Sequence, residues 1–130
     1  MHSLKNILLP FLFGVLFLSG GIAHFVIPGF YLQISEGFLP AMPLWIKLSG
    51  IAEILTGLLL LIPGSRRMGW LAALLLMLAF LPLHIWHFGR DLMPVWALII
   101  RLLLQLLLII LFYAQFRKKA QQDTSPGPGI

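Results

Sequence analysis

The sequence predicts an all-α integral membrane protein built as a four-helix bundle. Three observations carry that reading: 60% of the 130 residues are hydrophobic, only 10% are charged, and the apolar residues gather into four long runs. Soluble domains hold roughly 25% charged residues, and one bilayer span needs roughly 20 mostly apolar ones. The chain has room for four spans and little else, which makes residues 1–119 a single membrane domain. Helices follow because isolated strands cannot satisfy their backbone in lipid.

The first run, residues 7–27, reads ILLPFLFGVLFLSGGIAHFVI. Lys5 in front and GIA before His24 would suit a cleaved signal peptide. The run is longer than the roughly 7–15 apolar residues of such a peptide, so a retained span is the better reading. The second, third and fourth runs cover residues 44–62, 69–88 and 93–113. They are joined by PGFYLQISEGFLPAMP, PGSRRM and the tight GRDL turn. Residues 120–130, AQQDTSPGPGI, are polar, rich in proline and glycine, and expected to be disordered.

The net charge of +5 is distributed by topology. Lys5, Arg66, Arg67, Arg117, Lys118 and Lys119 fall on one side of a four-span chain, while Lys47 and Arg90 fall on the other. The positive-inside rule then places both termini in the cytoplasm. Trp45, Trp86 and Trp96 belong to an aromatic belt at the outer interface. The basic residues are therefore topology anchors, the lipid bilayer is the first partner, and no nucleic acid is expected. The absence of cysteine excludes thiolate chemistry and Cys-ligated metal or iron–sulfur sites. No metal site is expected.

Charges at mid-membrane cost about 2.5–3.5 kcal/mol on the gentlest insertion scale and are usually paired or face a cavity. Glu53, alone within SGIAEILTGLLLLIP, and Arg101 are such charges. Counting helix rise from the outer ends of their spans puts Glu53 roughly 13 Å and Arg101 roughly 12 Å deep. The matched depth predicts a Glu53–Arg101 ion pair. His24 and His84 lie roughly 5–6 Å deep by the same arithmetic. Gln105 follows Arg101 by four residues on one helical face. His87 is expected at the interface. Gly50, Glu53 and Gly57 share one face, as do Gly14, Phe17, Gly21 and His24, so both faces allow close approach of a neighbour. Pro82 removes a backbone donor and frees the Leu78 carbonyl near His84. His24, Glu53, His84, Arg101 and Gln105 thus form a candidate pocket in the outer half of the bundle, with a purely structural ion pair as the bland alternative.

HFVIP after the first span, LPAMP, SGIAEILTGLLLLIPGSRR, FLPLH and RLLLQ, in that order and spacing, resemble the DoxX-like membrane proteins over roughly residues 10–116. The resemblance implies a four-helix bundle in a bacterial plasma membrane and a redox-associated role, and it carries over His24, Glu53, Arg101 and Gln105 as motif positions. This chain lacks the cysteines of some redox-associated relatives.

Three functions compete. The first is an accessory subunit whose pocket binds a lipophilic molecule such as a quinone, with Arg101 and Gln105 donating to a carbonyl and a histidine exchanging a proton. The second is an enzyme, either a quinone-linked oxidoreductase subunit or an intramembrane acid/base catalyst. A haem held by His24 and His84 is a weaker variant of it, since interfacial histidines have commoner roles. The third is an assembly factor or chaperone for another membrane protein or redox complex, bound through apolar helix faces.

Overall fold

A computed structural model describes residues 4–125, and within them every regular element is a helix, with no strand. Five α-helices follow in order: α1 Leu4–Val26, α2 Pro28–Ser35, α3 Met42–Leu61, α4 Arg66–Trp86 and α5 Val95–Thr124. Four of them, all but α2, are long and apolar enough to cross a membrane. Their outward faces carry large apolar side chains such as Leu103 and Ile110, as lipid contact requires. This is a multi-pass membrane bundle.

The start of α1 and the last turns of α5 lie at one end of the bundle, which we call the terminal end, where Lys118 Nζ on α5 donates to Asn6 Oδ1 on α1 at 3.1 Å. We call the opposite end distal. Near the terminal end, Phe13 and Phe17 of α1 and Trp70 of α4 close around Phe112 of α5, with Phe13 edge-on to Phe112 at 4.9 Å. Phe112, Leu60 and Ala73 are essentially sealed from solvent.

The packing order is α1 on α3, α3 on α4 and α4 on α5. The α1–α3 seam is the tightest because glycines meet across it. A Cβ built on Gly21 would lie 2.6 Å from the Gly50 carbonyl oxygen, and one on Gly57 would lie 2.7 Å from the Gly14 oxygen. Backbone sits against backbone there, which only residues without a Cβ permit.

Two expectations change. The segment after the first span is not simply a loop: Pro28 opens the eight-residue helix α2, its ring presetting the helical φ. Gly37 then takes a left-handed φ of 87° that starts the turn toward α3. The fourth helix continues past residue 113 to Thr124, into residues expected to be disordered. Lys119 and Asp123 pair at i, i+4, and the Thr124 hydroxyl donates back to the Ala120 carbonyl, so local bonds extend the helix beyond its apolar stretch. Residues 126–130 of that tail lie outside the described residues.

The seam gives a direct test with adjacent glycines. Gly21→Ala forces α1 and α3 apart and should lower stability by about 1–3 kcal/mol. Gly20→Ala should be close to neutral, because its Cβ would meet only Glu53 Oε2 at an ordinary 3.6 Å. Thermal unfolding of the two variants in detergent micelles measures the difference, and equal effects would contradict the seam.

Candidate functional site

The polar side chains of the distal half separate into two groups. The first is made by the α1–α3 seam. His24 Nδ1 lies 3.1 Å from Glu53 Oε2 and 2.8 Å from the Gly20 carbonyl oxygen. The carbonyl can only accept, so Nδ1 carries a proton directed at Gly20. Glu53 Oε2 approaches the same nitrogen off the hydrogen-bond direction and is buried without a hydrogen-bonded donor. The pair is an imidazole buttressed by a carboxylate that keeps acceptor capacity in reserve. The Tyr31 ring of α2 stacks on His24, with centroids 3.9 Å apart and planes 16° from parallel. Burial, and then the Glu53 charge, push the Tyr31 phenol above its ordinary value of 10.0.

The second group belongs to α4 and α5. Arg101 Nη1 faces His87 Nδ1 at 3.2 Å and the Met93 sulfur at 3.5 Å. His87 Nε2 in turn meets the Ile34 carbonyl oxygen of α2 at 2.8 Å. A guanidinium only donates and a carbonyl only accepts, so this geometry selects a neutral His87 with its proton on Nε2. One turn deeper, Gln105 Nε2 donates to the Met77 carbonyl of α4 at 2.6 Å. That carbonyl neighbours Leu78, whose own partner Pro82 removes. His84 Nδ1 is buried without a partner, and the His84 and His87 rings are 6.4 Å apart.

The expected Glu53–Arg101 ion pair is therefore not formed. The two residues share a depth but not a side of the bundle: α3 packs on α1 and α4, whereas α5 packs on α4. Glu53 takes His24, and Arg101 takes His87. The structure also moves His87 from the interface to a fully buried position, 1% exposed. Its spacing of three from His84, one helical face, is the sequence signal for it. Tyr31 and Ile34 have the same spacing on α2, and through them α2 touches both groups. Among the described residues no cluster of three or more His, Asp or Glu side chains is placed to hold a metal.

Three cavities touch the first group, the smallest, of about 90 Å³, between His24 and Lys47; the two larger ones flank it. One, of about 260 Å³, lies between α1, α2, α3 and α4. Its polar lining is His24, Tyr31, Ser35, Trp45 and Ser49, and the rest is apolar, including Phe38, Met42 and Phe80. The other, of about 190 Å³, is lined by Glu53 and by apolar side chains such as Phe17, Met77 and Leu108. The His24–Glu53 pair stands between them. Arg101 and Gln105 line neither.

A family model described as "Domain of unknown function (DUF8561)" matches residues 13–115. The chain belongs to that family. The matched span runs from α1 through most of α5 and contains every side chain of both polar groups. No curated protein and no solved structure matches the chain.

A double-mutant cycle tests the pairing. His24→Ala and Glu53→Gln should couple by about 1 kcal/mol or more in unfolding free energy, while Glu53→Gln and Arg101→Leu should add to within about 0.5 kcal/mol. Denaturant titration in mixed micelles reads both cycles. Strong coupling of Glu53 to Arg101 would restore the ion pair that the geometry replaces.

Proposed function

We propose that this chain is a multi-pass protein of a bacterial plasma membrane, with both termini cytoplasmic, that binds a small lipophilic molecule bearing carbonyl or hydroxyl oxygens, such as a quinone. The observation that carries the reading is His24: buttressed by Glu53, stacked by Tyr31, and set in the wall of a largely apolar cavity of about 260 Å³. Ligand sites combine apolar walls with a few placed polar groups, and this cavity follows that rule on the scale of one ring-sized head group.

With the proton of Nδ1 held toward Gly20, the Nε2 atom of neutral His24 accepts a bond from a hydroxyl. When the ring is protonated, the same atom donates to a carbonyl, and the neighbouring carboxylate stabilises the imidazolium. The pair thus suits either redox form of a quinone. Arg101 Nη1 and Gln105 Nε2 bond to α4 and its flank, and neither residue lines the cavity, so they serve the scaffold and ligand recognition falls to His24, Tyr31 and Glu53. The basic residues at the terminal end and Trp45, Trp86 and Trp96 toward the other support the proposed orientation. The resemblance to the DoxX-like proteins favours a redox-associated accessory subunit over an autonomous enzyme.

Trp45 lines the cavity and reports on it. In phosphatidylcholine nanodiscs, a short-chain benzoquinone should quench tryptophan fluorescence saturably, and Trp45→Phe should remove most of the saturable part. His24→Ala should weaken binding about tenfold or more, the consequence of losing one charge-assisted hydrogen bond. Quenching that never saturates, and is the same in wild type and His24→Ala, would be simple partitioning and would sink the proposal.

A further inference from the structure

The opposite end of the bundle holds a cavity that the site above does not use. It has a volume of about 320 Å³ and sits where the start of α1, the start of α4 and the last turns of α5 converge. On α5, Gln115, Lys118, Lys119 and Gln122 line it. Their spacing, i, i+3, i+4 and i+7, makes one continuous helical face. Arg66 enters from α4 and Asn6 from α1, while Ile7, Pro10, Pro63 and Trp70 form its apolar wall.

The charge balance is one-sided. Three basic side chains line the cavity and no acidic one does. Among the described residues the one nearby carboxylate, Asp123, is taken up by Lys119 at 3.6 Å. Arg66 is held in place rather than neutralised: its Nε donates to the Leu60 carbonyl at 3.1 Å, which leaves the outer guanidinium nitrogens without an acidic partner. Lys118 is anchored the same way by a neutral group, the Asn6 side-chain oxygen at 3.1 Å. Topology anchoring alone asks for basic residues facing the headgroup layer. It does not ask for a walled recess in which cations from two helices and amides from two helices converge.

We infer that this recess binds the phosphodiester headgroup of an anionic phospholipid. Arg66 and Lys118 supply charge to the phosphate oxygens, and the Gln115, Gln122 and Asn6 amides supply neutral donors. The apolar wall around Trp70 takes the first carbons of the glycerol and acyl chains. The site lies at the level where the apolar stretch of α5 gives way to its polar end, which is where a lipid phosphate sits. A soluble phosphate would find the same cations but would gain nothing from the apolar wall.

Native mass spectrometry of the full chain, released from detergent with added phosphatidylglycerol or phosphatidylcholine, tests the assignment. Phosphatidylglycerol should be retained at roughly tenfold lower concentration than phosphatidylcholine, as expected for two basic contacts to one headgroup. Lys118→Gln should erase most of that preference. Gln115→Glu, which puts a carboxylate in the recess at a side chain that makes no hydrogen bond to the described residues, should do the same. Arg90→Gln, at the other end of the bundle, should leave the preference intact. Equal retention of the two lipids, or a preference untouched by Lys118→Gln and Gln115→Glu, would overturn the inference. Displacement of phosphatidylglycerol by micromolar inorganic phosphate would reassign the recess to a free anion and overturn the lipid assignment.

Discussion

The close approach of α1 and α3 is the constraint on which the rest of the structure depends. Gly14 and Gly21 meet Gly57 and Gly50 with no side chain between the backbones. In lipid there is no hydrophobic drive to hold two helices together, so van der Waals contact along such a seam supplies the association. The seam also fixes the site. With Gly21 against Gly50 the antiparallel helices set His24 and Glu53 on either side of that crossing, and because side chains lean toward their own helix N-terminus the two reach back toward each other to 3.1 Å. A carboxylate that would be expensive in isolation is thereby given a partner by the same contact that stabilises the fold. Packing and chemistry share one cause here.

The short helix α2 then ties the two polar groups together. Tyr31 lies on His24 and the Ile34 carbonyl receives the His87 proton, one turn apart on the same face. A shift of α2 would change the stacking on one imidazole and the tautomer of the other together. Arg101, with no carboxylate partner among the described residues, keeps its charge against a neutral imidazole and a thioether. That arrangement demands a His87 with a free lone pair on Nδ1, and the Ile34 bond enforces it. The backbone of α2 therefore selects the tautomer of a buried side chain in the distal half of the bundle.

The sequence made the four spans legible, because their length and apolarity leave no alternative in lipid. It also displayed both glycine faces, Gly14–Gly21–His24 on the first span and Gly50–Glu53–Gly57 on the second. What it did not display was that these faces meet each other. Depth along a helix follows from residue counting, but position around the bundle does not, so equal depth paired Glu53 with Arg101 when the shared small-residue pattern was the stronger guide. His87 and α2 escaped for a related reason. An eight-residue helix has too little periodicity to stand out in a stretch rich in glycine and proline, and without α2 nothing in the sequence covers His87.

The two ends of the bundle are chemically separated. Between the His24–Glu53 pair and the basic recess stands a block of packed rings, Phe13, Phe17, Trp70 and Phe112, in which Phe13 is edge-on to Trp70 and Phe112. The smaller cavity beside Glu53 leads into this block, and its other lining residues are apolar. Toward the terminal end the next buried polar side chain on α3 after Glu53 is Thr56, whose hydroxyl is spent on the Ala52 carbonyl at 2.8 Å, so an ion crossing there would meet a desolvation penalty. This arrangement favours approach to the proposed His24–Glu53 site from the distal side or the lipid flank. This geometry suits a molecule that arrives through the membrane and returns to it, and it disfavours conduction through the bundle. The proposed lipid recess then stands apart from the proposed ligand site at the other end, with no lining residue in common.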